Sequence, residues 1–277
     1  MREAEKDISV AKKVTGRQLA RVSAVQCRET IHSELYPGNY NTVGCFQPAV
    51  LKVESTLELS EEQKKQVVWR FDSGAGSDGN YKWLLERGYR ALGKGYSGKR
   101  VAAWAKHVKR WDKYDEKCWL GDIKSPVDYG CPIKVFIRKR LTKKGYHYSY
   151  YATTLRTLSK KRLMYLYNQR GGAEVEQFRG DKGGLHLETR QKGKFQAQEG
   201  IILLTDIAHN LLGNFYRKTL EGSRFHGYGN KRIIRELLTI PGKLIFESGK
   251  LRRVELISGH INSRELLKCL KRYCSSQ

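Results

Sequence analysis

Residues 67–94 read VVWRFDSGAGSDGNYKWLLERGYRALGK, and this stretch decides the class of fold. Its first six residues are mostly apolar and begin with two valines, which predicts a short buried strand over 67–72. A helix is predicted over 81–87 and a second strand over 89–94. Strand, helix and strand in this order indicate an α/β fold, in which helices cover a mixed sheet.

The turn after the first strand, Gly74-Ala-Gly-Ser-Asp-Gly79, matches the G-x-G-x-x-G pattern of dinucleotide-binding folds. Such a fold needs an acidic residue about 20 positions further on, where it binds the ribose hydroxyls. Here the second strand runs instead into KGYSGK over 94–99, and a cation at that place opposes an NAD site. A cofactor-dependent oxidoreductase is therefore a disfavoured alternative, which only a demonstration of nucleotide binding would support.

The same patterns extend in both directions along the chain. A strand is predicted over 17–25 and a helical segment over 46–59, after which Ser60 and Gln63 fit a capping box at a helix start. Residues 106–155 combine Trp, Tyr, Phe and Ile with turn signals, which predicts an inserted module of antiparallel strands. Four further elements are predicted: a helix over 195–212 with an apolar stripe (Ile201, Leu204, Ala208, Leu211 and Leu212), a helix over 231–238, a hairpin over 243–256 that turns at Ser248-Gly249, and a last helix from 262 or 263 to 273.

The 277 residues include 53 Lys and Arg against 28 Asp and Glu, a formal net charge of +25. A hydrophobic fraction of 39% still supports a packed core, which excludes a disordered chain. A positive field of this size favours a phosphate backbone as partner, and the cations are interleaved with aromatic residues, as in KHVKRWDKYDEK over 106–117. We therefore expect a nucleic-acid-binding protein, with a basic surface that serves only solubility as the alternative.

Two features argue against a membrane-spanning or exported protein. The apolar stretch at 200–215 is interrupted by polar residues and is shorter than the roughly 20 residues that a span needs. The N-terminus carries charges where a signal peptide has its apolar run. The six cysteines form no C-x₂-C pair and no zinc-ligand spacing with His. We therefore expect free thiols in a reducing cytoplasm.

Two sets of residues are candidates for chemistry. Asp72 ends the first predicted strand, where a carboxylate can hold a metal, although an Asp that caps the following turn is the alternative. Tyr167, Arg170 and Glu174 share one face of a helix if that helix continues through Gly171-Gly172. Each internal glycine costs about 1 kcal/mol relative to alanine, so a break or kink is expected there. The alternative is that Arg170 and Glu174 form only an i,i+4 surface ion pair, worth a few tenths of a kcal/mol.

At these residues the sequence resembles the DDE-type transposases of bacterial insertion sequences, along nearly its whole length. The matching blocks are TGRQLARV over 15–22 with LYPGN over 35–39, RFDSG over 70–74 through Trp83-Leu-Leu, Arg87-Gly-Tyr, KGYSGK over 94–99, and YNQRGGAE over 167–174 with Asp181-Lys182, Ala197-Gln-Glu199 and Ala208-His-Asn210.

The resemblance implies a ribonuclease-H-like fold in which three acidic residues bind two divalent ions, Mg²⁺ or Mn²⁺. It implies one catalytic domain over 1–277 with the β-rich insertion, 106–155, before the last acid. Asp72 matches the second aspartate, and Glu174 matches the glutamate of a tyrosine-arginine-glutamate-lysine signature, so both are expected to be catalytic metal ligands. Tyr167 and Arg170 match the first members of that signature.

Lys182 is the nearest match to the lysine of the signature, one residue further from Glu174 than usual. With Tyr167 and Arg170 it is expected to bind DNA phosphates. The implied partners are double-stranded DNA, as transposon ends and target, and a second copy of the chain. The implied location is the bacterial cytoplasm, at the nucleoid.

One departure from the family concerns the first aspartate, which lies on a strand upstream of the block at 12–22. Asp7 is the only aspartate there, and it stands in a charged stretch with no strand pattern. We therefore expect a transposase that lacks its N-terminal part and has little or no activity. The alternative is a non-catalytic DNA-binding or inhibitory fragment that dimerises with a full-length transposase.

Overall fold

The computed structural model describes residues 8–9, 14–189 and 192–275, and for residues 8–9, 14–15 and 171–179 it describes the backbone alone. The chain divides into two compact units. The first unit comprises residues 1–22 and 34–172, and the second comprises residues 23–33 and 173–277.

Twelve strands and eight α-helices are described within these ranges. The strands are β1 (Ile8–Ser9), β2 (Val14–Thr15), β3 (Arg17–Ala24), β4 (Glu29–Pro37), β5 (Val68–Phe71), β6 (Arg90–Lys94), β7 (Asp112–Asp115), β8 (Cys118–Ile123), β9 (Lys134–Thr142), β10 (Gly145–Thr153), β11 (Gly242–Glu247) and β12 (Lys250–Leu256). The helices are α1 (Thr42–Leu57), α2 (Glu61–Lys64), α3 (Asp78–Glu86), α4 (Gly98–Ala105), α5 (Lys160–Gly183), α6 (Phe195–Phe215), α7 (Asn230–Arg232) and α8 (Ser263–Ser275).

A six-stranded sheet forms the centre of the first unit, in the order β5-β6-β10-β9-β8-β7. The strands β5 and β6 are parallel, with Val68 beside Arg90 and Phe71 beside Gly93, and the other neighbours are antiparallel. The mixed sheet flanked by helices confirms the α/β prediction. All four strands within 106–155 belong to this sheet, so the β-rich segment extends it beyond β6.

The N-terminal half of α5 packs on one face of this sheet. Leu163 and Met164 are fully buried there, and Tyr167 is nearly so. Their partners are the apolar side chains of four strands: Leu92, Leu120, Phe136 and Tyr151. Burying each large apolar side chain contributes about 1.5–3 kcal/mol.

The opposite face of the sheet is covered by α1, α3 and α4. Phe71 lies between the rings of Phe46 and Tyr81, with centroids 5.0 and 4.9 Å away. Asp78 at the start of α3 accepts two hydrogen bonds from Arg100, at 2.7 and 2.6 Å, and these hold the pKa of that carboxyl below its usual range. The predicted capping box is confirmed, since Ser60 and Gln63 exchange both hydrogen bonds at the start of α2.

The glycine pattern after β5 has a packing role. A Cβ at Gly76 would collide with the carbonyl oxygen of Lys94, and a Cβ at Gly95 would collide with the ring of Tyr150. The Tyr96 amide also donates to the Gly76 carbonyl at 2.9 Å. Two glycine-containing turns therefore pack backbone against backbone, which explains this pattern without a nucleotide.

In the second unit, α6 continues as a π-helical turn over Tyr216–Leu220, and α7 continues as another over Ile233–Leu238. The predicted hairpin is confirmed as β11 and β12, with Ser248 and Gly249 at positive φ in the turn. The core contains the following buried side chains: Leu212, Tyr216, Leu220, Phe225, Ile233, Leu237, Ile240, Leu266 and Cys269. All six cysteines of the chain are free thiols, as predicted.

A buried polar cluster ties α6 to the turn between β3 and β4. The His209 ring nitrogen Nδ1 lies 2.7 Å from Oδ1 of the fully buried Asp181, and Nε2 donates to the carbonyl of Arg28 at 2.9 Å. The next residue, Asn210, exchanges two 2.8 Å hydrogen bonds with the backbone of Thr30. Asp181 and the Ala208-His-Asn210 block therefore meet in one structural contact.

The expected break at Gly171-Gly172 is wrong, because the backbone of α5 is helical from Lys160 to Gly183. Two internal glycines cost about 2 kcal/mol together. The burial of Leu163, Met164 and Tyr167 before them offsets that cost.

Replacing Gly76 with alanine is expected to lower the free energy of unfolding by about 1–3 kcal/mol, because the new methyl group meets backbone that cannot move away. The matched control is Gly79→Ala, since a Cβ there has no atom within 4 Å and α3 gains a better helix former. Urea titrations followed by circular dichroism measure both. Equal stability of the two variants would show that the two turns do not pack as described.

Replacing Asp181 with alanine is expected to lower the thermal midpoint, since it leaves a ring nitrogen of the buried His209 without its carboxylate. A lost buried partner costs about 1–3 kcal/mol. Lys182→Ala, at the exposed next position on α5, is the control and is expected to change stability little. Differential scanning calorimetry tests this, and the same midpoint for both variants would contradict the described contact.

Candidate active site

Asp72 follows β5 directly and is exposed to solvent. Its Oδ1 atom accepts a hydrogen bond from the backbone amide of Gly74 at 2.8 Å, which is the turn-capping role considered above. Among the described residues, Oδ2 accepts no hydrogen bond. The carboxylate therefore caps its turn with one oxygen and can offer the other to a ligand.

The alternation of side chains along β5 explains where Asp72 points. Trp69 and Phe71 face α1, while Arg70 faces α5 and donates from Nη1 to the Leu166 carbonyl at 2.8 Å. Asp72, two residues after Arg70, continues the α5 side of the strand. The carboxylate therefore stands at the end of the strand on the face that α5 covers.

Four basic side chains share this face with Asp72. Burial lowers the pKa of the Lys94 ammonium, and the charges of Arg138 and Arg170 lower it further, while Asp72 acts in the opposite direction. Burial also lowers the pKa of the Arg70 guanidinium, and Arg170 adds to that effect. These interactions place Arg138 and Arg170 near Lys94, and Arg170 near Arg70. We call these four side chains the basic cluster.

Tyr167 and Arg170 reach this cluster from α5. The ring of Tyr167 packs edge-on against Tyr151, with centroids 4.7 Å apart, and the Arg170 guanidinium lies 5.1 Å from the centre of the Tyr167 ring. Burial raises the pKa of the Tyr167 hydroxyl, Arg170 lowers it, and the charge of Asp72 raises it again. The structure therefore brings Asp72, Tyr167 and Arg170 into one electrostatic neighbourhood.

The remaining two candidates belong to the second unit. Glu174 lies on the backbone of α5, and its side chain is outside the described residues, so its predicted meeting with Asp72 stays a prediction. Lys182 is exposed near the end of α5, beside the buried Asp181. Its predicted role in DNA binding likewise stays a prediction.

The donor set bears on the expected metal ions. Mg²⁺ and Mn²⁺ prefer oxygen ligands, and Asp72 offers a carboxylate oxygen, Oδ2, that accepts no hydrogen bond among the described residues. Among the described residues, however, no three His, Cys, Asp or Glu side chains come together in a group that could hold a metal ion. Asp72 thus fits as one ligand of a site that needs further acids.

Sequence reasoning missed the contributions of Arg70, Lys94 and Arg138. Arg70 and Lys94 stand in the matching blocks, and Arg138 alternates with the buried Phe136 on β9. Period-two alternation could have assigned Arg70 and Asp72 to one face. The pairing of β10 with both β6 and β9, which brings Arg138 near Lys94, has no local signal.

Among the described residues, the helices include none with the length and apolar character needed to cross a bilayer.

Comparison with known proteins identifies the family and the fold. A family model described as transposase DDE domain group 1 matches residues 26–276. A cryo-EM structure of the piggyBac transposase synaptic complex with hairpin DNA superimposes with a TM-score of 0.53 at 12% sequence identity, over 83% of this chain and 47% of that chain. Comparison with curated protein sequences finds no significant match.

The structural likeness confirms the ribonuclease-H-like fold class, and this chain spans about half the length of the piggyBac chain. The family match covers residues 34–172 of the first unit and nearly all of the second unit, while residues 1–25 lie outside it. The chain therefore belongs to the family of transposase DDE domains, group 1.

Proposed function

We propose that this chain acts in DNA transposition by metal-dependent phosphoryl transfer, which cleaves and joins strands at transposon ends. Membership in a transposase family supports DNA transposition in general. The observation that carries the finer proposal is Asp72, a carboxylate with one oxygen free of hydrogen bonds among the described residues, near Lys94 of the basic cluster and near Tyr167. Such an arrangement suits a site that must hold both a cation and a phosphate.

In this proposal Asp72 and Glu174 are the catalytic carboxylates and hold two divalent ions, Mg²⁺ or Mn²⁺. When bound, such ions activate water or a 3′ hydroxyl and stabilise the leaving oxygen of an in-line displacement. Asp72 contributes Oδ2 and keeps Oδ1 on the Gly74 amide, which fixes the orientation of the carboxylate. The turn after β5 thereby positions the ligand before any ion binds.

The basic side chains would bind the phosphates on either side of the scissile bond. Arg170 is held by Tyr167, whose hydroxyl lies 3.5 Å from Nη2, and Lys94 is half-buried at the end of β6. Charge-assisted hydrogen bonds to phosphate contribute about 1.5–3 kcal/mol each. A phosphodiester would also relieve the mutual repulsion within the basic cluster. Lys182 is proposed as a further phosphate contact near the end of α5.

The proposed partners are double-stranded DNA, as transposon ends and target, and a second copy of the chain bound to the same DNA. The similar piggyBac structure is a synaptic complex with hairpin DNA, which supports DNA as the partner here. The net charge of +25 supports the same partner independently of that likeness. We further propose that the element is a bacterial insertion sequence and that the protein works at the nucleoid.

We propose that the 277-residue sequence by itself cleaves DNA poorly. The family resemblance implies three acids, and this sequence offers two, Asp72 and Glu174, while Asp7 lies outside the described residues. In the described part of the chain, β5 is the end strand of its sheet, so one edge beside Asp72 can accept another strand. A strand with an aspartate at that edge would complete the set of ligands.

The second candidate function is a non-catalytic DNA-binding or inhibitory transposase fragment. One observation favours it, the large positive charge, which attracts DNA without any divalent ion. Such a fragment binds DNA without a divalent ion and forms mixed dimers with an active transposase. Metal-dependent cleavage separates the two candidates.

The proposal is tested by strand cleavage of DNA that carries the ends of the element, in Mn²⁺. The 277-residue chain is expected to bind this DNA and cleave it at or near background. A longer version, with an upstream strand that contains an aspartate, is expected to cleave it. In that version Asp72→Asn is expected to abolish cleavage, because the amide is a poor ligand for the ion.

Asp128→Asn is the matched control, because Asp128 also caps its turn by accepting from the amide of the residue two positions on, Gly130, at 2.9 Å. Asparagine preserves that hydrogen bond in both variants. Cleavage that survives Asp72→Asn would contradict the proposed role of Asp72. Binding without cleavage by both the short and the long version would favour the second candidate function.

A further inference from the structure

A second basic site lies in the first unit, next to the basic cluster, with which it shares Arg138. An open cleft of about 450 Å³ is bordered by β7, β8, β9 and α5. Among its lining residues are Tyr114, Lys117, Arg138, Arg140 and Asn168. Three of these five side chains are cationic and the other two carry neutral hydrogen-bonding groups.

The β9 strand explains why two arginines face this cleft together. Arg138 and Arg140 are two residues apart, so they point to the same face of the sheet. The preceding member of this row, Phe136, is fully buried under α5. Along this face of β9, Phe136 therefore lies in the apolar core beneath α5, Arg138 lies at the edge of that core, and Arg140 lies in the open cleft.

Polar atoms next to Arg138, which lines the cleft, lack partners within the described part of the chain. The Arg138 Nε, Ser149 Oγ and Tyr151 hydroxyl atoms are buried and have no hydrogen-bond partner among the described residues. Ser149 is paired with Arg138 across the strands and is 4% exposed, and Tyr151 is fully buried. The Arg138 guanidinium lies 5.8 Å from the centre of the Tyr151 ring. Of these three residues only Arg138 lines the cleft, and an arginine with an unpartnered donor favours a site that is completed by a bound acceptor.

Two acids also line the cleft, Asp115 and Glu116. The Asp115 carboxylate accepts from the backbone amide of Lys117 at 2.9 Å, so one of its oxygens is used within its own turn. Glu116 is exposed. Burial and the charge of Asp115 raise the pKa of the Cys118 thiol, which lines the cleft, whereas the charges of Arg138 and Arg140 lower it. The positive charges of both arginines therefore act inside the cleft.

We infer that this cleft binds a phosphodiester group of DNA through Arg138 and Arg140, at a position separate from the phosphate at Asp72. The inference rests on the proposed function, since it makes DNA the source of the phosphate. Arg138 also belongs to the basic cluster, where its charge acts on Lys94, and the charge of Asp72 acts on Lys94 as well. A continuous row of cations thus leads from the Asp72 carboxylate to the cleft, which suits a strand backbone with successive phosphates.

The test measures the binding of a duplex oligonucleotide in EDTA, where no cleavage occurs, over a range of salt concentrations. Arg140→Gln and Arg138→Gln are each expected to weaken binding several-fold. Each is also expected to make the slope of log K against log salt shallower by about one unit, the amount for one lost phosphate contact. Lys143→Gln, at the exposed turn between β9 and β10, removes the same charge outside the cleft and is expected to leave the slope unchanged.

Arg140 is exposed, so Arg140→Gln carries the test alone if Arg138→Gln does not fold. Equal losses in Arg140→Gln and Lys143→Gln would overturn the inference, because DNA would then respond to net charge only. Inorganic phosphate, added as a competitor, distinguishes the source of the phosphate group. Phosphate binding that requires Arg140, with duplex binding unaffected by Arg140→Gln, would assign the cleft to a free anion and overturn the DNA assignment. Failure of the unaltered chain to bind any duplex would instead contradict the proposed function.

Discussion

The packing of helix α5 on one face of the six-stranded sheet is the contact on which the candidate site depends. Leu163, Met164 and Tyr167 fill that face, and Arg70 donates to the carbonyl of Leu166 in the helix. These contacts fix the rotation of the helix about its axis as well as its distance from the sheet. Arg170, one turn beyond Leu166, is therefore held near the end of β5, where Asp72 begins its turn.

The electrostatics of the site follow from that packing. Four half-buried basic side chains lie on the face of the sheet that also carries Asp72, and like charges in such a place raise the free energy of the folded state. Such an arrangement is maintained at a cost to stability and is typical of functional sites. In the proposed mechanism, the phosphates of DNA neutralise the basic cluster and the divalent ions neutralise the carboxylates. Metal and DNA would then each strengthen the binding of the other.

Local sequence patterns predicted much of the fold. The strand-helix-strand unit at 67–94, the capping box at Ser60 and the hairpin turn at Ser248-Gly249 all depend on neighbouring residues, and all are confirmed. The continuity of α5 through Gly171-Gly172 was not predicted, because tertiary burial outweighs the helix propensity of glycine. The strand order, which brings β10 beside β6, also lies beyond any local pattern.

The buried face of α6 is a second instructive difference. The apolar stripe at 201–212 was predicted from spacing, yet Leu204 and Leu211 are exposed, while Thr205, Asp206 and His209 are buried. Polar partners such as Asp181 and the backbone of Arg28 make that burial possible for His209. At the candidate site, a strand-end position, the helix spacing and the resemblance together identified Asp72, Tyr167 and Arg170. The contributions of Lys94 and Arg138 depend on the pairing of distant strands, which no local pattern shows.

The central claim is that Asp72 and Glu174, which are far apart in the sequence, bind the same divalent ions. Fe²⁺ in place of Mg²⁺, with ascorbate and peroxide, cuts the protein backbone next to the bound ion, and mass spectrometry of the fragments locates the cuts. With duplex DNA bound, the account predicts cuts near residues 72 and 174, both lost in Asp72→Asn and both retained in Asp128→Asn. Cuts near one of these residues only, or cuts near 174 that survive Asp72→Asn, would contradict it.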